Sequence, residues 1–390
     1  MAKIKQSTIA LIAVFIATFK AQGLPNAFQY SLQVIMLTVA VVYLVTNRRR
    51  IKFINISLIY SGAVVLSSVV AYFTKKIYIT SMINGLYYAI CLFCFYNIIS
   101  NFIKNNRYYD LITILFRITV FYNVTSFISV IIHGTGNSQS VIYLWGGKFD
   151  TCYYFILMVS LFYVAHMKDV TKSLKWKLAF LSIVFISFLF CAYINCITVM
   201  MALLLMFIFS FFGPKIRMFF SKRMTVVIFI LASGLVLFVL TRILSISFIE
   251  NIITGVLGKS ITLTSRTPIY ERYLFPLIYG SPILGYGYGS SIMHQTTLVY
   301  WNAQNGIFEI MLNFGAVGLA AFLVTVFKAL KGNNKYENGW GLYMLVYGFI
   351  IAATIEISYT SNIFIVTLYL IYLLPTKTPK LAEERRRKRV

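Results

Sequence analysis

The sequence predicts an all-α, polytopic membrane protein of about twelve spanning helices, with one large folded loop outside the bilayer. Three observations predict it. Hydrophobic residues make up 59% of the chain and charged residues only 12%, against about 25% charged in soluble domains. Apolar runs of about 18 residues or more recur along the whole length, each long enough to cross a ~30 Å hydrocarbon core as a helix. Lys and Arg fall in short clusters between these runs, which is the topology signal of membrane helices. Barrel strands would alternate in polarity with period two, and no such alternation is sustained.

Taken in order, the predicted spans lie near residues 7–19, 27–46, 54–73, 78–98, 111–132, 150–166, 178–193, 196–213, 225–241, 304–327, 340–357 and 362–375. The first and last are short, and the seventh and eighth form a hairpin with a barely polar YINC turn. Lys3 and Lys5 precede the first helix and no small-residue cleavage site follows it, so it reads as an uncleaved insertion signal. Residues 1–241 thus carry nine helices, 242–303 a large extracytoplasmic loop, 304–375 three more helices, and 376–390 a basic cytoplasmic tail. The loop is rich in Ile, Leu, Phe and Tyr, so it should fold, partly as helices lying at the interface.

Charge tests this order. With the N-terminus inside, the segments assigned to the cytoplasm hold 26 of the 35 Lys and Arg. Those assigned outside hold eight: Lys20, Lys75, Lys76, Lys148, Arg242, Lys259, Arg266 and Arg272. Arg117, inside the fifth helix, is the remaining one and is expected to snorkel to the cytoplasmic surface. Removing one helix would invert every later loop and break the alternation. A formal charge of +25 also suits nucleic acid, but here the charge is spread between apolar runs. The Arg385–Arg389 run fits a tail lying on anionic headgroups, so the partner is the lipid bilayer and no nucleic acid.

Few residues can carry chemistry. The chain has no phosphate loop, no HExxH and no GxSxG, and three histidines with ten acids offer no metal-ligand spacing, so no metal and no cofactor is expected. Cys91 and Cys94 form a CxxC without a second pair, and all five cysteines read as membrane packing. The outer face has an excess of basic residues. Either a long loop ignores the positive-inside rule, or the face binds an anion, for which arginine is suited by its bidentate geometry.

Two segments stand out. SRTPIYERYLFPLIYGSPILGYGYGS, residues 265–290, carries Arg266 and Arg272 on a stretch that Pro268 can start as a helix. Its glycines 280, 285, 287 and 289 then offer exposed backbone that can approach a ligand and donate N–H groups to an anion, with Tyr286 and Tyr288 between them. The tenth helix, NAQNGIFEIMLNFGAVGLAAF, places Asn302, Asn305, Glu309 and Asn313 in one polar stripe. A carboxylate in a membrane helix is a functional candidate, and Glu309 should face the outer vestibule, with Glu356 at a similar level; a structural hydrogen-bond network is the alternative for both. Gly315 and Gly318 should permit close packing on another helix. Lys148, in WGGKFD before the sixth helix, could contact a phosphate or be an ordinary loop lysine.

These segments, in this order and with this layout, resemble the O-antigen ligase and polymerase superfamily, and most closely its Wzy-type repeat-unit polymerases. The likeness covers residues 264–322 well and the helix layout throughout, and WGGKF adds to it. The resemblance implies a GT-C-like fold and an inverting, metal-independent glycosyltransferase of O-antigen, capsule or exopolysaccharide synthesis. Its donor would be a glycan on undecaprenyl diphosphate and its acceptor a lipid-linked repeat. A chain-length regulator protein would be a further partner. It places the enzyme in the bacterial plasma membrane, with both termini cytoplasmic and the active site on the outer face. On it, Arg266 aligns with the loop arginine that neutralises the leaving diphosphate, and Lys148, Arg242, Arg272, Gln304, Asn305, Tyr286 and Tyr288 become substrate-binding candidates. Gln304 stands where ligases carry a histidine. That favours polymerase over ligase and leaves the general base open, with Glu309 the candidate and a water or the diphosphate itself the alternatives. A rival of another class is a lipid-linked oligosaccharide flippase. Transporters show internal repeats and discontinuous helices, and the sequence shows neither.

Overall fold

The apolar runs form helices because lipid offers no hydrogen-bond partners, so each backbone group must bond within its own segment. The computed structural model describes residues 2–48, 51–75, 78–134, 142–244, 269–298, 300–330 and 336–374. In chain order the helices are α1 (Ala2–Thr18), α2 (Asn26–Thr46), α3 (Ser57–Lys75), α4 (Ile79–Lys104), α5 (Tyr108–His133), α6 (Lys148–Lys172), α7 (Leu174–Tyr193) and α8 (Ile197–Ser210). Then come α9 (Pro214–Phe220), α10 (Arg223–Leu244), α11 (Phe275–Gly280), α12 (Ile292–Thr297), α13 (Gly306–Ala329), α14 (Tyr336–Ala353) and α15 (Asn362–Leu373). No strand occurs among the described residues.

Seven helices, α2 to α7 and α13, are long and apolar enough to cross a membrane, and α9 with α10 makes an eighth if that pair, bent by 60°, is one span. Four shorter apolar helices lie in α1, α8, α14 and α15. The chain is therefore a helical, multi-pass membrane protein. Local signals set the corners. Asn195 adopts a left-handed backbone (φ 55°) in the YINC turn, so α7 folds straight back into α8. Pro214 opens α9, where its missing N–H costs nothing.

Exposure sorts the helices into an inner and an outer set. In α14 and α15 nearly every side chain from Trp340 to Ile350 and from Ile363 to Ile371 is buried. By contrast only 22% of the α2 span and 28% of the α7 span is buried, and Phe28, Val34, Ile35, Phe185 and Ile186 project outward from them. Such a belt of exposed apolar side chains needs hydrocarbon around it. All five cysteines are buried and free. Arg117 is exposed on α5.

Before α13, a π turn at Tyr270–Leu274 runs into α11, and α12 follows. Ile269, Tyr270, Leu274, Ile278, Tyr286 and Met293 make a small core of their own beneath these elements.

α13 differs from its predicted form. Gly315 has φ 61° and ψ −162°, so the helix is broken there, in a backbone region open essentially to glycine alone. The expected close helix packing at Gly315 is thus replaced by a break, and the chain does contain a discontinuous membrane helix. The polar stripe is corrected too: Asn302 and Asn305 precede the helix, which begins at Gly306.

Candidate functional site

Two polar arrangements lie where the loop before α13 meets the bundle. The first is a clasp around the break in α13. In an unbroken helix the Leu312 and Asn313 carbonyls would accept from Ala316 and Val317. Here they accept instead from the N–H groups of Tyr286 (3.0 Å) and Gly287 (2.7 Å). Ala316 and Val317 donate to Pro282 O (2.8 Å) and Ile283 O (3.1 Å). The PILGYG segment has entered the break and taken over both severed pairs. It fits because a Cβ on Gly315 would sit 2.5 Å from the Leu284 nitrogen, and one on Gly285 would sit 2.5 Å from the Phe314 nitrogen. Ser67 of α3 donates to Asn313 O (2.8 Å) and also bonds Leu284 O, while Tyr288 N donates to Ser68 Oγ (3.0 Å).

This overturns the anion-nest expectation for the glycine loop. The N–H groups of residues 285 to 288 are given to Ser281 O, Leu312 O, Asn313 O and Ser68 Oγ respectively. They are spent on building the fold.

The polar residues of α13 belong to the same clasp. Asn305 is its N-cap: Oδ1 accepts from Ile307 N (3.0 Å) and Phe308 N (3.2 Å), and Nδ2 donates to Ser233 O and Thr354 O, both at 3.2 Å. The residue is 0% exposed. Glu309 is 8% exposed and spans the turn, one oxygen accepting from Ala303 N (2.8 Å) and the other from Asn313 Nδ2 (2.7 Å). It does not open onto a vestibule. Tyr286 is buried with its hydroxyl on Leu277 O (3.0 Å), and burial raises its pKa. Gln304 takes a left-handed backbone (φ 51°), with Tyr270 OH donating to its carbonyl at 3.3 Å.

The second arrangement is a cleft of about 370 Å³ at the end of the bundle where α1 and α14 finish and α6 and α15 begin. Its charged residues are Lys20, Asp150 and Glu356, and Asn302 and Asn362 add amides. Trp145, Phe149, Tyr153, Tyr154 and Tyr288 supply aromatic surface. The sequence puts these groups on five separate segments. Packing holds them: Trp145 donates to Thr125 Oγ1 (2.6 Å) and stacks on Tyr122 (3.7 Å), and Tyr288 stacks on Tyr88 (4.7 Å). Asn362 donates to Thr18 O (2.8 Å), joining α15 to α1, while its buried carbonyl oxygen has no hydrogen-bond partner among the described residues. Asp150 stands three residues after the N-cap Gly147 and accepts its N–H, closing the first turn of α6. Burial lowers the Lys20 pKa below 10.5, with Cys91 acting weakly against it.

Of the substrate-binding candidates among the described residues, Tyr288 alone lines this cleft, together with Asn302 of the expected polar stripe and Glu356, the carboxylate expected at the level of Glu309. Lys148 is the first residue of α6, next to lining residue Phe149, with its Nζ 5.8 Å from that ring's centroid. Arg272 is exposed on the π turn. The Arg242 side chain and all of Arg266 lie outside the described residues. Lys20, Asp150, Tyr153 and Tyr154 were missed as site residues. The tyrosines sit in an apolar run (CYYF) that reads as core, and Lys20 reads as one loop cation among several. Among the described residues, no group of three His, Cys, Asp or Glu could hold a metal ion.

Comparison of the chain with family models, with curated proteins and with solved structures found no match.

Proposed function

We propose that the chain is a polysaccharide repeat-unit polymerase with twelve membrane crossings and a GT-C-like layout. It transfers a growing glycan from undecaprenyl diphosphate to a lipid-linked repeat at the outer face of a bacterial plasma membrane. One observation carries the reading. The two segments that bear the family resemblance lock together as one unit, loop into helix break, and that unit supplies Tyr288 and Asn302 to a polar, aromatic cleft. Such a cleft suits a glycan: flat rings cover the apolar faces of sugars, and carboxylates and amides bond their hydroxyls. Arg266 neutralises the departing diphosphate, and the charge order puts this end of the bundle outside, with both termini in the cytoplasm.

The broken α13 supports a second reading, a lipid-linked oligosaccharide flippase, because transporters use discontinuous helices to bind substrate or ions. Against it, the backbone groups freed at Leu312, Asn313, Ala316 and Val317 are already bonded to the chain's own loop.

The purified protein, given one kind of lipid-linked repeat, should make a ladder of lipid-attached products, release undecaprenyl diphosphate, and keep its rate in chelator. Arg266→Ala should abolish the ladder while still inserting, and Arg266→Lys should restore little, since a point charge lacks the guanidinium fork. Transfer only to a different acceptor would make the protein a ligase. Movement of lipid-linked sugar across the bilayer without any new glycosidic bond would make it a flippase.

A further inference from the structure

The depth of the break in α13 bears on the chain that fills it. An α-helix rises about 1.5 Å per residue. Gly315 stands thirteen residues before Lys328, the exposed cation in the last turn of α13. The break is therefore about 20 Å along the helix from the level where that charge meets water or headgroups. In a hydrocarbon core of ~30 Å it sits about 10 Å beneath the opposite surface, and any tilt of this half of the helix moves it closer to the middle.

Two neighbouring helices measure the depth from that opposite surface. Ser67, which donates to Asn313 O (2.8 Å) and bonds Leu284 O, is eight residues from the end of α3 at Lys75, or about 12 Å. Tyr88, stacked on Tyr288 at 4.7 Å, is nine residues into α4, or about 14 Å. The chain then returns towards the surface, for Ser81, two residues past the start of α4, donates to Gly289 O at 3.4 Å.

Irregular backbone at such a depth is tolerated where its polar groups are bonded within the protein. The segment meets that condition. Pro282 O and Ile283 O accept from Ala316 N and Val317 N, Leu284 O from Ser67 Oγ, and Gly285 O from Ser281 Oγ (2.7 Å). The N–H groups of residues 285 to 288 are bonded as well. The side chains agree. Ile283 is 64% exposed, bonded through its carbonyl to Val317, and Val317 and Val324 of α13 and Leu66 of α3 are exposed around it. Ile283 thus continues the belt of apolar side chains that needs hydrocarbon around it.

We propose that residues 279–289 form a re-entrant segment that dips about 10 Å into the bilayer, fills the break in α13, and docks on lipid acyl chains through Ile283. Tyr279, 80% exposed at the end of α11, lies nearer the headgroups, the level that tyrosine favours. The loop before α13 is therefore anchored in the membrane and does not lie wholly outside it. Tyr288 belongs to the same segment, so that wall of the cleft is below the bilayer surface. None of this depends on the activity of the chain.

The test uses the full-length protein in lipid nanodiscs, with single added cysteines. The five native cysteines are buried, and wild-type protein sets the labelling background. Ile283→Cys and Val317→Cys should react with a charged maleimide about tenfold or more slowly than Thr296→Cys, which is exposed on α12, because hydrocarbon excludes the reagent and disfavours the thiolate. A bimane attached at 283 or 317 through a membrane-permeant reagent should be quenched by lipids brominated in mid-chain, and one at 296 should not. An Ile283→Cys protein that reacts as fast as Thr296→Cys would place the segment in water and overturn the proposal. Slow reaction without quenching would overturn it too, by putting protein and not lipid over Ile283. Tyr279→Cys gives a second reading outside the clasp. Its bimane should be quenched most by lipids brominated near the headgroup, and no quenching by any brominated lipid would remove the segment from the bilayer.

Discussion

The clasp and the cleft share a short stretch of chain and use the same residue types for opposite ends. In the clasp, Glu309, Asn305 and Asn313 are bonded to backbone or to each other, and the glycine loop closes the break in α13. In the cleft, Lys20, Asp150, Asn302 and Glu356 are gathered around open space from separate segments. A buried polar group is tolerable when its bonds are complete and costly when they are not. The clasp therefore has the character of structure, whereas the cleft sets polar side chains around a space that a ligand can enter. The difference teaches that an acid in an apolar helix has two meanings, separable only by asking where its bonds go. It also makes a sharp expectation: clasp substitutions should lower stability and activity together, whereas a cleft substitution such as Lys20→Met should lower activity without lowering stability.

The largest effect is expected at Gly315. Any side chain there would combine a backbone conformation reserved for glycine with a Cβ 2.5 Å from Leu284 N. Strain and overpacking together are worth on the order of 2–6 kcal/mol. Gly315→Ala should sharply reduce the yield of folded protein from membranes. Gly62→Ala is the control, because a Cβ there meets nothing within 4 Å and alanine favours the helix. Equal folded yields from the two variants would mean that the loop does not occupy the break.

The next effect concerns Asn305 and Glu309. Asn305→Ala removes the cap of α13 and leaves the Ser233 and Thr354 carbonyls without this donor. A lost cap costs ~0.5–2 kcal/mol, with a further ~1–3 kcal/mol for buried groups left unpaired. Glu309→Ala orphans the Ala303 N–H and the Asn313 amide, at a similar cost of ~1–3 kcal/mol for each group that stays dry. Both variants should melt several degrees below wild type in detergent. A Glu309→Ala protein with unchanged melting but no transfer would reverse the comparison and return Glu309 to the chemistry.

How far the sequence reveals these regions depends on the range of the interactions involved. Helices such as α4, expected near 78–98 and found at Ile79–Lys104, follow from a local apolar run and need no distant information. The extra turn at the end of α4 carries Asn101 and Lys104, polar residues that keep a helix going past the apolar stretch. The break in α13 was not legible, because glycines in an apolar helix suit a close helix partner and an inserted loop equally well. Only the pairing of Gly315 with the segment around Ile283 decides between them. The cleft was less legible still. Thr18 and Asn362, which meet across it, are 344 residues apart, and no local period reports that helix ends converge.

The smallest effect expected is also the one that best isolates the cleft. Burial holds the Lys20 pKa below its ordinary 10.5, so the folded state disfavours the ammonium. The unfolded chain then binds the proton more tightly, and the sign follows. Below the folded pKa the burial penalty is fully present. As pH rises from the folded pKa towards 10.5 the folded state sheds its proton first, and stability increases relative to a chain without this lysine. Lys20→Met removes the penalty while keeping the stem. It should raise the melting temperature modestly at pH 7, by a few degrees at most because Lys20 is only half-buried, and this advantage should shrink by pH 10. The same variant should form ladder more slowly than wild type, since the cation that lines the cleft is gone. Greater stability with lower activity is the pattern of a residue retained for function at some cost to the fold. If Lys20→Met is less stable at pH 7, or if its advantage is the same at both pH values, Lys20 is a structural group and the contrast between clasp and cleft does not hold at that residue.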